Sequence, residues 1–322
     1  MNRRLALAGA CLAMLAATVA QAQAPAWPTR SIRIMVGSAP GGGTDAMARA
    51  VADRLGPVLN QPVVVENRPG ASNTLAADAT AKSTDGHTMV MGVVTAHAIA
   101  PHLLKLPYDT NKDLVPVVFV GAVPNVLVVS NTLPTDSVQS LVKLAKKEPG
   151  KINYATSGPG STQHIAAEMF KDATGIDIVH VPYKGSGPAL IDLVGGQVQM
   201  SFDTMPSVIG QVKNGRIKAL AVTTSKRNAQ LPNVPTLAEA GVPGIEMSAW
   251  YGIYMPASTP KAVQDKVHEA VTKVLAMPET KARLEAIGAE ITPMTQAQFA
   301  QFQSAEYKRY GEIIKKNNIH VD

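Results

Sequence analysis

Ser38-Ala39-Pro40-Gly41-Gly42-Gly43-Thr44-Asp45 is the stretch from which the fold is read. An apolar run at residues 32–36 precedes it and reads as a buried strand. Residues 46–55 follow with apolar positions at helical spacing, and Thr44 or Asp45 suits the N-cap. Strand, glycine turn and helix thus succeed one another. Three glycines let the backbone approach a ligand and turn several N–H groups toward it. Gly42 is the position where that approach, and a positive φ, are expected. The helix N-terminus adds partial positive charge, so the turn suits an anion. No Lys-Ser/Thr follows the glycines and no G-x-G-x-x-G occurs, so this is neither a Walker loop nor the dinucleotide fingerprint. A glycine-rich turn with no ligand is the alternative.

The same order recurs outward from this point. Strands are predicted at 62–66, 88–94, 115–120, 126–129, 152–155, 177–181, 198–202 and 217–223. Helices are predicted between them at 74–82, 96–104, 138–147, 161–173, 188–194 and 206–213. Such alternation predicts an α/β fold with largely parallel sheets covered by helices. After a strand at 250–255 the chain turns helical, at 261–275, 279–287 and 296–316. Tyr154-Ala155-Thr156-Ser157-Gly158-Pro159-Gly160-Ser161-Thr162-Gln163-His164 repeats the first stretch in chemistry, again strand, small polar turn, helix. An ordinary capped turn is the alternative here too. Two such turns, one in each half, predict a cleft that grips an anion from both sides, beyond the carboxyl ends of the strands.

Arg3 and Arg4, an apolar core at 5–19 and Ala20-Gln21-Ala22-Gln23-Ala24 have the layout of a secretory signal peptide, cleaved after Ala22 or Ala24. The apolar part is short for a membrane span. Cys11, the only cysteine, lies inside it and too early for a lipoprotein anchor. The mature chain then has no disulfide, thiolate nucleophile or Cys-ligated metal. Cleavage after Ala24 leaves 298 residues, enough for one large or two medium domains, and lowers the net charge from +6 to +4. With no dense Lys/Arg run and few aromatics, nucleic acid is a poor partner.

Catalytic patterns are weak. G-x-S-x-G and H-E-x-x-H are absent, and no His pair has metal-ligand helical spacing. Ser161 and His164 share a helical turn, but a nucleophile also needs an orienting acid and an oxyanion site. His164 reads more simply as a helix-start residue that lines or supports the pocket. The expectation is a protein that is not an enzyme and has no cofactor or metal.

The motifs, taken together, are specific. Pro40-Gly41-Gly42-Gly43-Thr44-Asp45, Val64-Val65-Glu66-Asn67-Arg68-Pro69-Gly70-Ala71, Leu106-Pro107-Tyr108-Asp109, His180-Val181-Pro182-Tyr183-Lys184-Gly185, Phe202-Asp203, Val234-Pro235-Thr236-Leu237 and Trp250-Tyr251-Gly252 occur in that order. The chain resembles, over essentially its whole mature length, the periplasmic solute-binding receptors of tripartite tricarboxylate transporters, the Bug-type family. The resemblance implies a periplasmic-binding-protein fold of two α/β lobes with a ligand cleft between them. Residues 25–124 plus 248–322 would form the first lobe and 125–247 the second, after a signal peptide at 1–24. It further implies a periplasmic, monomeric receptor that closes on a small carboxylate, mostly a dicarboxylate, and docks on a membrane permease. A receptor that presents its closed form to a membrane sensor has the same cleft and is the competing reading, with a secreted hydrolase third.

The expected ligand-binding residues are Ser38, Gly41, Gly42, Gly43, Thr44 and Asp45 in the first turn. In the second turn they are Thr156, Ser157, Gly158, Gly160, Ser161, Thr162 and His164. Thr95 and His97, after a strand end, are further candidates, or else belong to a solvated loop. Tyr183 either lines the wall or packs its loop. Asp203 either accepts a ligand amine or hydroxyl, or holds a loop. The candidate loops carry one cation, Lys184, so a carboxylate would be met by N–H groups, hydroxyls and water. Many relatives have an aromatic residue at Ser38 and Asn at Thr204, and both departures bear on ligand choice.

Overall fold

The computed structural model describes residues 27–321. The signal-peptide reading, Cys11 included, lies outside the described residues. The chain runs β1 (Ile32–Val36), α1 (Gly43–Leu59), β2 (Val63–Asn67), α2 (Thr74–Ala81), β3 (Thr88–Val93), α3 (Ala100–Leu103) and β4 (Leu114–Ser130). It continues with α4 (Val138–Lys147), β5 (Asn153–Thr156), α5 (Thr162–Thr174), β6 (Val179–Pro182), α6 (Ser186–Val194), β7 (Met200–Thr204), α7 (Met205–Lys213) and β8 (Ile217–Val222). Then come β9 (Ser248–Pro256), α8 (Lys261–Ala276), α9 (Pro278–Ala286) and α10 (Gln296–Lys316).

Two α/β lobes share one strand. The sheet order is β2-β1-β3-β9-β4-β7-β5-β6, with β8 also on β4. The first half of β4 pairs with β9 as far as Pro124 opposite Ser248. From Asn125 onward β4 pairs with β7 and β8 instead. The two strands predicted at 115–120 and 126–129 are therefore one strand of 17 residues. Pro116 and Gly121 flank register shifts, so the bulges absorb the residues that read as breaks. The prediction of largely parallel sheets is also corrected. Four strand pairs are parallel and four antiparallel. The antiparallel ones all involve β4 or β9, which pass between the lobes in opposite directions.

Asn125 ties this junction together. Its backbone N–H donates to Thr223 Oγ1 at 3.0 Å, and its amide donates to Thr162 Oγ1 and Phe202 O. Thr223 Oγ1 in turn donates to Met247 O at 2.7 Å. Of the C-terminal helices, α8 packs on α1 and α10 packs on β4. The core is continuous and largely Val, Ala, Ile and Leu, and it includes the fully buried rings of Trp250, Tyr251 and Tyr254 of β9.

Candidate functional site

Six parallel-running strands end at one place between the lobes, and the residues just past their carboxyl ends face each other there. β1 delivers Ser38, β2 delivers Asn73, β3 delivers Thr95, β5 delivers Ser157, β6 delivers Ser186 and β7 ends in Thr204; all line one cavity of about 20 Å³. Thr44, Thr162, Gln163 and Tyr251 complete its polar wall, and Val93 and Ala249 are its apolar side chains. Among the described residues no charged side chain lines it.

Helix starts dominate its electrostatics. α1, α5, α6 and α7 all begin at the cavity, through Gly43 and Thr44, Thr162 and Gln163, Ser186, and Thr204. α5 is capped by the Ser161 side chain. The N-caps of α1, α6 and α7, which are Gly42, Gly185 and Thr204, make no side-chain capping bond. Orphan N–H donors and roughly half a positive charge per helix end therefore converge without any cationic side chain. Such an arrangement suits a small anion met by backbone and hydroxyl donors.

The glycine turn differs in detail from its sequence reading. Gly41, at φ +82°, takes the left-handed conformation, whereas Gly42 is at φ −82° and ψ 168°. Gly42 is the N-cap, so Thr44 and Asp45 belong to the first helical turn. A Cβ on Gly42 would meet only ordinary contacts, the nearest at 3.5 Å. On Gly43 it would run into Thr204 Oγ1 and, at 2.9 Å, the Tyr251 hydroxyl. Close approach thus belongs to Gly43. Asp45 is turned away from the cavity. Its Oδ2 accepts from Gly41 N–H (3.1 Å) and Arg49 Nε (2.9 Å), and its Oδ1 from Asn67 Nδ2 (2.9 Å). Burial raises its pKa, but these hydrogen bonds outweigh burial and hold the carboxyl below its ordinary value.

The second turn divides similarly. Ser157 and Thr162 line the cavity, together with Gln163. Thr156, Ser161 and His164 hold the turn from behind. Thr156 Oγ1 pairs with His180 Nε2 at 2.7 Å and accepts from Gly158 N–H. Ser161 Oγ accepts from His164 N–H, and His164 Nδ1 accepts from Gly160 N–H at 3.2 Å. With Nδ1 so engaged, His164 is not the base of a Ser–His pair. Gly158 and Gly160, both at positive φ, shape the loop. Tyr183 donates to Asp192 at 2.6 Å and packs its loop. Lys184 is exposed.

Asp203 stands one layer behind the wall. Its Oδ1 accepts from Ser186 Oγ (2.6 Å), Gln163 Nε2 (3.1 Å) and Thr204 N–H (2.7 Å), three residues of the cavity lining. Burial pushes its carboxyl up. Ser157 Oγ donates to Gln163 Oε1, so the second-lobe wall is one connected network. Thr95 is not in a solvated loop: it is 3% exposed and opens a π-helical turn, Thr95–Ile99. His97 is wholly buried, paired with Thr110 and stacked on Tyr254 at 3.8 Å, and burial pushes its pKa down to about 3.

Sequence reasoning missed Asn73, Gln163, Ser186, Ala249 and Tyr251 as wall residues, and read Thr204 only as a departure. Ser186 and Thr204 stand at helix starts and carried a usable signal, the second just before Met205-Pro206. Ala249 and Tyr251 are alternate residues of β9, so strand periodicity puts them on one face. Their neighbours Ser248 and Trp250 face a second groove of about 380 Å³ behind the junction. There Glu306 already accepts from Trp250 Nε1 and Arg309, and the groove has no convergence of helix starts.

The lobes are closed on the cavity. Ala39 N–H donates to Lys184 O at 3.3 Å, and Ser72 Oγ donates to Pro159 O, both across the cleft. Among the described residues no His, Cys, Asp and Glu cluster could hold a metal, and no helix is long and apolar enough to cross a membrane.

Comparison with known proteins agrees with this geometry. Residues 47–319 match the family model described as the tripartite tricarboxylate transporter family receptor. Protein BugT of Bordetella pertussis is 38% identical over 327 residues, covering 100% of this chain and 99% of BugT. The structure of R. palustris Rpa4515 with adipate superposes with a TM-score of 0.88 at 37% identity, covering 91% of this chain and 99% of that one. MatC (Rpa3494) from Rhodopseudomonas palustris with bound malate gives 0.85 at 31%, covering 89% and 100%.

Proposed function

The chain belongs to the tripartite tricarboxylate transporter receptor family, and from that premise we propose that it captures a small carboxylate between its lobes and hands it to membrane permease subunits. It is a solute-binding receptor of the two-lobed periplasmic-binding-protein type, not an enzyme. The observation that carries the carboxylate reading is the cavity without charged side chains on which four helices begin. Such a wall neutralises an anion with donors that are already oriented, and lobe closure removes the water that competes for them. Adipate and malate in the cited relatives, both dicarboxylates, favour a dicarboxylate here.

Within this proposal Ser38, Gly43, Thr44, Thr95, Ser157 and Thr162 meet the ligand or its bound water. Gly41, Gly42, Asp45, Thr156, Gly158, Gly160, Ser161, His164, Tyr183 and Asp203 hold those residues in place. The lobes are residues 25–124 plus 248–322 and residues 125–247; the exchange of β4's partners at Pro124 and Asn125 supports that division. Export to the periplasm by a cleaved leader belongs to the same reading, and mass spectrometry of the periplasmic protein checks it through a new N-terminus at Gln23 or Pro25.

A thermal-shift screen of mono-, di- and tricarboxylates tests the ligand class. A ligand of the native state raises stability by about 2.7 kcal/mol at a hundredfold excess over its dissociation constant. No shift with any carboxylate, at millimolar concentration, would sink the carboxylate reading.

A further inference from the structure

The two walls of the cleft are not equivalent. On the second lobe, Ser157, Gln163, Ser186 and Thr204 satisfy one another and Asp203. On the first lobe, Ser38 Oγ and Asn73 Oδ1 are buried with no hydrogen-bond partner. Asn73 is 8% exposed and lines the cavity. Whichever way its amide is turned, one buried terminal atom has no protein partner among the described residues.

The backbone puts it there under strain. Ala71, Ser72 and Asn73 have φ of +43°, +54° and +72°, three successive non-glycine residues in a conformation L-residues rarely adopt. Neighbours hold the segment. Thr74 Oγ1 donates to Ala71 O at 2.6 Å, and Ser72 donates across the cleft to Pro159 O. Asn73 also lies against Gly37, where a Cβ would come within 2.5 Å of its Cα. Strain maintained in this way marks a side chain that the fold is built to present.

Resting on the carboxylate-receptor reading, we propose that Asn73 determines ligand choice and selects a short 2-hydroxy dicarboxylate over its unsubstituted counterpart. A cavity of about 20 Å³ admits water but not a dicarboxylate, so ligand entry parts the walls. Asn73 and Ser38 then face the ligand instead of the opposite lobe. A ligand hydroxyl, as donor and acceptor, pairs the orphaned amide terminus whichever atom it is. Eight hydroxyls and two amides line the cavity against two apolar side chains, Val93 and Ala249, so bare methylenes find little apolar surface.

Calorimetry with malate and succinate, which differ by one hydroxyl, tests this. The native protein is expected to bind malate roughly tenfold tighter, the worth of one hydrogen bond to an otherwise unpaired buried group. Asn73→Gly keeps the left-handed backbone and is expected to bring the ratio to about one. Asn73→Asp keeps the side-chain shape and is expected to weaken both acids through like-charge repulsion. Succinate binding as tightly as malate, or a full ratio surviving in Asn73→Gly, overturns the proposal while leaving the carboxylate reading intact. If no carboxylate binds, both fall.

Discussion

Gly43 of the first lobe lies against the Thr204 hydroxyl of the second so closely that no side-chain carbon fits between them. Gly43 opens helix α1 and Thr204 caps helix α7, so the place where two helix starts meet is also where the lobes meet. In the proposed function, ligand grip and lobe closure therefore share the same atoms. A group that widens this contact disturbs both.

Gly43→Ala is the direct consequence. The added methyl must displace Thr204 of the facing lobe and Tyr251 of its own, an overpacking cost on the order of 1–3 kcal/mol, and the part owed to Thr204 falls on the closed form alone. The variant is expected to fold normally and to lose ten- to a hundredfold in affinity for the best carboxylate of the screen, roughly what that energy corresponds to. Gly42→Ala, with φ already at −82° and its nearest contact at 3.5 Å, is expected to bind within about threefold of native. Equal affinities for the two variants in calorimetry would contradict the assignment of close approach to Gly43.

Ser161 gives a second contrast. Read from sequence, its hydroxyl meets the ligand, and Ser161→Ala weakens binding by about 1 kcal/mol. Its place as the N-cap of α5, accepting from His164 N–H, moves the expected loss to stability, about 0.5–2 kcal/mol. Urea denaturation is expected to show that loss while the dissociation constant changes less than twofold. An unchanged midpoint with weakened binding would restore the sequence reading.

His164 and His180 predict the response to pH. They stack at 4.5 Å behind the second turn, with Tyr154 on the far side of His180. Burial lowers both pKa values, that of His180 to about 4, and for His180 the neighbouring His164 lowers it further. Glu168 opposes the shift and Lys171 adds to it at both rings. Both histidines are neutral in the folded state at neutral pH and charge more readily when unfolded. Their contribution is thus present above about pH 6.5 and is lost as pH falls, that of His180 toward about pH 4. Protonation of His164 Nδ1 also removes the acceptor for Gly160 N–H. Unfolding free energies at pH 7, 6 and 5 are expected to fall steadily, and less steeply in His180→Phe, which keeps a ring but cannot titrate. Parallel slopes in the two proteins would exclude this pair as the source.

The alternation of strands and helices was legible because each apolar run had its own period, and α4 and α10 lie where the spacing put them. β4 was not, since Gly121 and Pro124 break a pattern locally, whereas its continuity is fixed by partners more than a hundred residues away. The two turns were legible as helix starts, but not which of their residues face the cleft. That depends on residues distant in sequence: only Thr204 of the opposite lobe and Tyr251 of β9 distinguish Gly43 from Gly42. Asn73 left no trace, because a left-handed run of Ala, Ser and Asn is imposed by Gly37 and Pro159 rather than by local preference.

Closure itself is the remaining consequence. With a cavity of about 20 Å³, the closed form described here has no room for a dicarboxylate, so binding requires an opened form to exist. Ala39 N–H to Lys184 O and Ser72 Oγ to Pro159 O are the bonds that opening breaks. Each is worth about 1 kcal/mol net in a setting that water reaches on opening. Bonds of this size do not by themselves hold the cleft shut, and Ser38 Oγ and Asn73 Oδ1, which have no protein partner among the described residues, gain no hydrogen bond from closure. Small-angle scattering is expected to show a larger radius of gyration without ligand and a smaller one at saturation with the best carboxylate. Ser72→Ala, which removes one bond and no group of the cavity lining, is expected to shift the ligand-free protein further toward the open form and to weaken binding by less than tenfold. A radius unchanged by ligand in both proteins would mean that the lobes stay closed and that the ligand enters elsewhere.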